Sequence, residues 1–148
     1  MGSPVLRLVS PARVPLALIV DTDPSSILSL HNLLGECQIR TLAVSNGADA
    51  LEVLRTQAID LVICGDLGGF HGVEVLEACQ ALFPQVPRVY LARKATPELH
   101  SEAILHGRVH ATVTLAMHPV DLRNVIASLV GADIAARSLR RPTGRSGS

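Results

Sequence analysis

At 148 residues the chain has room for one domain of ordinary size. Hydrophobic residues make up 48% of it, yet only Phe70, Phe83 and Tyr90 are aromatic, so an aliphatic core of Leu, Val, Ile and Ala is expected. Lys plus Arg and Asp plus Glu number 13 each, and this zero balance argues against a general nucleic-acid-binding surface.

Short apolar runs alternate with helical patterns five times, the signature of a parallel sheet with crossover helices. The first run, Leu16 to Val20, is continuous, as a strand covered on both faces should be. Pro24 then marks a helix start, and Ile27, Leu30, Leu33 and Leu34 form one stripe that Gly35 is expected to stop. Ile39 to Val44 reads as the second strand, followed by Asn46-Gly47 and a stripe of Ala50, Leu51, Leu54 and Ala58. Leu61 to Cys64 reads as the third strand. A glycine-rich turn from Gly65 to Gly72 leads into Val75, Leu76, Cys79 and Leu82, and Pro84 and Pro87 close the unit. Val89 to Ala92 is the fourth strand, with a helix predicted from about Pro97 to His106, and Ala111 to Leu115 is the fifth. Leu122, Val125, Ile126, Leu129 and Val130 give the last helix its apolar stripe, which is expected to end at or close to Gly131. The domain is thus expected over 15–131, after an N-terminal extension over 1–14. Residues 132–148, rich in Arg, Ser, Gly, Thr and Pro, read as a disordered tail or linker.

No apolar run approaches the ~18 residues needed to span a bilayer. Met1 to Pro15 lacks the ~7–15-residue apolar stretch of a secretory signal. A cytoplasmic protein with no membrane contact is expected. Cys37, Cys64 and Cys79 match no zinc or redox spacing and read as free thiols in a reducing compartment. The six histidines are scattered, with no pair at i, i+4 on one helix, which is not a metal-site pattern.

Five βα units with short loops point to a flavodoxin-like, doubly wound (βα)5 domain with strand order 2-1-3-4-5. Ligands of such sheets bind beyond the carboxyl ends of the strands, so Asp21-Thr22-Asp23, Gly65-Asp66, Ala92-Arg93 and Leu115 are the positions to read. Asp21, Asp23 and Asp66 follow the first and third strands. Convergent carboxylates raise one another's pKa unless a cation joins them, and oxygen ligands suit Mg2+. Asp23 before Pro24 is equally a good helix N-cap.

The run LALIVDTDPSSILSLHNLL resembles the opening of the response-regulator receiver family of bacterial two-component signalling. Asp60 to Cys64 resembles its third strand, Gly72 to Leu76 the start of its third helix, Pro87 to Leu91 its fourth strand, and His118 to Leu122 the approach to its last helix. The resemblance spans about Pro15 to Val130. It implies an aspartate at the end of the third strand that accepts a phosphoryl group from a histidine kinase. It further implies an acidic pair holding Mg2+, a hydroxyl ending the fourth strand and a lysine ending the fifth.

Position by position the chain departs from that pattern. Asp21 matches the first acid, but Thr22 stands at the second, with Asp23 one residue late. The acceptor position falls on Gly65, with Asp66 one residue beyond it. Ala92 stands at the hydroxyl position, Leu115 at the lysine, and Thr112 replaces the usual switch aromatic. Lys94, the only lysine, follows the fourth strand beside Arg93. These losses imply a degenerate, or pseudo-, receiver that is no enzyme and acts by protein–protein interaction, with a histidine kinase or output domain as partner. The resemblance also implies a homodimer through the face of the 97–106 helix, the fifth strand and the last helix. The alternative is a competent phospho-receiver using Asp66 with Mg2+ on Asp21 and Asp23, which would show at most weak autophosphorylation and autodephosphorylation. A flavodoxin-like small-ligand binder is a further alternative. The glycine-rich turn is neither a dinucleotide nor a Walker phosphate loop.

Overall fold

The structure, a computed structural model, describes residues 14–65, 71–92 and 109–139. Asp66, Arg93, Lys94, the helix predicted over 97–106, and residues 1–13 and 140–148 lie outside the described residues.

Five strands form one sheet: β1 (Leu16–Val20), β2 (Arg40–Val44), β3 (Leu61–Gly65), β4 (Arg88–Leu91) and β5 (Ala111–Val113). Four helices are described: α1 (Pro24–Glu36), α2 (Gly47–Thr56), α3 (His71–Leu82) and α4 (Pro119–Leu139). The order is β2-β1-β3-β4-β5 and every pairing is parallel. The expected flavodoxin-like topology is therefore the observed one.

β1, β3 and β4 are buried throughout because helices cover both sides of the sheet. Side-chain alternation divides their residues between two cores. Leu18, Val20, Val62, Cys64 and Tyr90 meet Ala50 and Leu54 of α2 and Val73, Leu76 and Cys79 of α3. Ala17, Ile19, Ile63, Leu91 and Val113 meet Leu30 and Leu34 of α1 and Leu122, Ile126 and Val130 of α4. Each fully buried Leu or Ile contributes about 1.5–3 kcal/mol, so two aliphatic layers replace the aromatic residues the chain lacks. β2 differs. As an edge strand it leaves Arg40, Leu42 and Ala43 exposed.

Two expected helix ends are corrected. Gly35 does not stop α1, which continues to Glu36. The chain leaves the helix at Gln38, a non-glycine residue at φ 63°. The amide of Ile39 donates to the carbonyl of Leu34 (2.9 Å) and that of Gln38 to Gly35 (3.1 Å). This is a Schellman closure, in which buried Ile39 packs with Leu34 in the same core. Gly131 likewise does not end the last helix. α4 continues through it to Leu139, so residues 132–139 are helical where a disordered tail was expected. A helical glycine costs only about 1 kcal/mol relative to alanine, and the Ala-rich run after it favours continuation.

Candidate functional site at the carboxyl edge of the sheet

Asp21 directly follows β1, and its amide prolongs the parallel ladder by donating to the carbonyl of Val44 (3.0 Å). That pairing fixes its backbone, and the residue is 4% exposed. Oδ1 accepts the amides of Thr22 (2.7 Å) and Asp23 (3.0 Å). Asp21 is thereby held in one orientation by its own chain.

Asp23 serves the helix. It is the N-cap of α1, with Oδ1 accepting from the Ser25 amide (3.1 Å) and Oδ2 from the Ser26 hydroxyl (2.9 Å). Pro24 follows at the first helical position, where a missing N–H costs nothing. Of the two roles the sequence offered, the described geometry displays the cap.

β3 keeps its register through Gly65, with Cys64 paired to Tyr90 and Gly65 to Leu91. No slip or bulge occurs up to that residue. A Cβ on Gly65 would lie 2.8 Å from Cγ of Asp21 and closer still to its Oδ2. The Asp21 carboxylate thus occupies the space into which a side chain at 65 would project. Gly72, in the first turn of α3, packs equally closely against the Gly65 backbone. A Cβ there would collide with the carbonyl of Gly65 and stand 3.2 Å from the Tyr90 ring.

Beside Asp21 lies a cavity of ≈ 230 Å³ lined by Asp21, Ser26, Leu91, Ala92, Thr114, Leu115 and Ala116. Asp21, Ala92 and Leu115 were singled out by sequence, and the fold brings them together. Ser26 and Thr114 were not. They line it because Ser26 sits in the first turn of α1 and Thr114 just after β5, positions that the strand order makes neighbours. Thr22 does not join this cavity; it lines a larger one of ≈ 380 Å³ with Ser45, Asn46, Leu51, Glu74 and Val75.

A second polar cluster lies at the opposite, amino-terminal edge. Asp60 is fully buried and accepts the amide of Leu16 (2.8 Å), while its own amide donates to the Leu16 carbonyl (2.8 Å). The guanidinium of Arg88, 5% exposed as a residue, donates to the carbonyls of Pro84 (3.3 Å) and Val86 (2.9 Å). Nδ1 of His110 accepts the Arg88 amide (3.0 Å), and the His110 amide donates to the Arg88 carbonyl (2.8 Å). Burial, and then the neighbouring Arg88 charge, hold the His110 pKa below its usual value. Burial pushes the Cys79 thiol up to about 11 against the opposing pull of Arg88.

The response regulator receiver domain family matches residues 17–127, the stretch that carries the sheet and the acidic edge. The chain belongs to that family. A receiver's fold is also what solved structures share with it. The signal receiver domain of an HD domain-containing protein from Pseudomonas fluorescens superposes with a TM-score of 0.78 at 21% identity, over 89% of this chain and 98% of that one. The response regulator TrrA from Thermotoga maritima, in complex with Mg2+ and beryllium fluoride, gives 0.68 at 21% identity, over 78% and 98%. Among curated proteins, the transcriptional regulatory protein ZraR of Escherichia coli is 29% identical over 113 residues, 76% of this chain and 25% of that protein. The sensor histidine kinase GacS of Pseudomonas protegens is 35% identical over 68 residues, 45% of this chain and 7% of that one. The chain therefore spans about a quarter of the length of the first of these relatives.

For a receiver domain the described donor set is a poor Mg2+ site. Mg2+ demands near-octahedral oxygen coordination. Among the described residues, Asp21 is the only carboxylate lining the cavity, and both oxygens of Asp23 are engaged in the α1 cap. No cluster of three His, Cys, Asp or Glu side chains suited to a metal occurs among the described residues. Nor does any described helix have the length and apolarity to cross a membrane.

Proposed function

We propose that this receiver domain signals by binding a protein partner and has lost Mg2+-dependent phosphotransfer. The observation that carries the reading is the fit of Gly65 against Asp21: the in-register acceptor position holds no side chain and has no room for one. Two neighbouring positions support it. Ala92 supplies no hydroxyl, and Leu115 no positive charge, to a phosphoryl group entering the cavity. Among the described lining residues no side chain carries positive charge to neutralise the phosphoryl oxygens during in-line transfer. On this reading the domain is not an enzyme, acts in the cytoplasm, and has a histidine kinase or an output domain as partner. A homodimer through the surface of β5 and α4, where Leu115 and Val120 stand exposed, is part of the same reading.

A competent receiver is the second reading, favoured by the retention of buried Asp21 at the end of β1, with Asp66 as acceptor. Intact mass after incubation with Mg2+ and acetyl phosphate separates the two, using wild type and Asp66→Asn. No adduct on folded wild type is the expected result. A phosphoryl adduct present on wild type and absent from Asp66→Asn would establish the second reading.

A further inference from the structure

The Asp21 cavity combines three features that phosphate recognition does not explain. Its one charged lining group among the described residues is an anion, 4% exposed. Oδ1 of that carboxylate accepts two amides, whereas Oδ2 accepts no hydrogen bond among the described residues. The remaining lining is Leu91, Ala92, Leu115 and Ala116, with the hydroxyls of Ser26 and Thr114. An oxygen left without a protein partner there is open to a cation or donor that enters the cavity.

The chemistry of the walls selects the cation. A phosphoryl or carboxylate ligand would meet like charge and find no cationic side chain among the described lining residues. A neutral apolar ligand would leave Oδ2 unsatisfied. Mg2+ needs about six oxygens, and the described lining offers one carboxylate and two hydroxyls. A primary ammonium carries three donors, and three of the residues lining the cavity, Asp21, Ser26 and Thr114, carry oxygen acceptors. Each hydroxyl keeps acceptor capacity. Ser26 Oγ donates to Asp23, and Thr114 Oγ1 accepts only the Ala116 amide (2.9 Å). The four aliphatic residues would cover the alkyl stem, as lysine stems are covered elsewhere.

We propose that this cavity binds an alkylammonium group. The inference rests on the proposed loss of phosphotransfer. The ammonium could be that of a small amine or of a lysine side chain on a partner.

The test is a titration of 15N-labelled protein, followed by amide shifts, with n-butylammonium and with lysine blocked at both its amino and carboxyl ends. Sodium butyrate serves as the same shape with opposite charge. The expected result is saturable shifts at Thr22, Ala92 and Leu115 with at least one ammonium compound and none with butyrate. Binding should weaken at least tenfold in Asp21→Asn. Tighter binding of blocked lysine assigns the site to a partner's side chain, and binding of butylammonium alone assigns it to a free amine.

Because Asp21→Asn disturbs a buried residue, Leu115→Lys is the second variant. Leu115 is 37% exposed, so a lysine is tolerated there, and its own ammonium should abolish binding in a folded protein. Absence of saturable shifts in wild type overturns the inference, as does equal affinity in Asp21→Asn or in Leu115→Lys. A phosphoryl adduct in the mass experiment overturns the underlying reading instead, so the two failures are told apart.

Discussion

The Cα of Gly65 faces the carboxylate of Asp21 so closely that a Cβ would stand 2.8 Å from its Cγ. The two residues end adjacent parallel strands, whose register pairs Val20 with Cys64. The carboxylate cannot swing aside freely, because Oδ1 is held by the Thr22 and Asp23 amides. Any side chain at 65 therefore competes with those two hydrogen bonds.

Gly65→Ala should destabilise the protein by about 1–3 kcal/mol, the usual cost of overpacking a filled site. In an Asp21→Ala background the same change should cost less than half as much, since the obstructing carboxylate is gone. Urea denaturation of the four proteins in a double-mutant cycle measures this coupling. Additive effects would show that Gly65 and Asp21 do not compete for space.

Gln38 occupies the position after the α1 cap that glycine usually fills, at φ 63°. Left-handed backbone strains a residue with a Cβ by about 1 kcal/mol. Gln38→Gly should therefore raise stability by about 0.5–1 kcal/mol, and Gln38→Val should lower it. The midpoint of chemical unfolding at constant m-value is the measurement.

The strands and their order were legible in the sequence because helices cover both faces of β1, β3 and β4, which leaves unbroken apolar runs over Leu16–Val20, Leu61–Cys64 and Val89–Ala92. Asp21, Ala92 and Leu115 were legible as site positions because all of them follow strands on one edge. What stayed hidden depended on space rather than on local pattern. Ser26 and Thr114 meet only across the fold. Gly35 and Gly131 read as helix ends by composition alone. The first is passed by one residue because the Ile39–Leu34 contact and two amides close the turn later. The second is passed because a single glycine costs less than the following helix returns. The cluster of Asp60, Arg88 and His110 had no sequence signature, since its hydrogen bonds join residues 22 and 44 positions apart.

Asp60 joins the entry of β3 to that of β1 by exchanging two hydrogen bonds with Leu16. Asp60→Ala leaves the Leu16 amide without its side-chain acceptor, at a cost of about 1–3 kcal/mol from this loss alone. Asp60→Asn keeps an acceptor oxygen and should cost less. Thermal unfolding of the two variants side by side tests the order, and equal losses would place the role of Asp60 elsewhere.

Nδ1 of His110 accepts the Arg88 amide only while unprotonated, and its pKa is lowered by burial and by the Arg88 charge. A depressed folded pKa means that the neutral form is favoured by folding. The stabilisation is thus fully present above the unfolded value of about 6.5 and is lost as pH falls through the lower folded value. Wild type should lose stability on acidification from pH 7.5 to 5. His110→Asn, whose amide oxygen accepts from a similar position without titrating, should lose less. Denaturation curves at the two pH values give the comparison, and identical losses would remove His110 from the acid response.

The three thiols differ in burial, which ranks their reactivity. Cys64 and Cys79 are buried, and the Cys79 pKa is pushed up to about 11; Cys37, at the α1 cap, is half-buried. Alkylation proceeds through the thiolate, so at pH 8 Cys79 is disfavoured both by access and by ionisation. Iodoacetamide added to native protein at that pH should modify Cys37 first and leave Cys79 for last, with all three reacting in guanidinium. Peptide mapping over time reads the order directly. Early modification of Cys79 in the native protein would mean that α3 opens from the sheet far more often than its buried contacts with β3 and β4 allow.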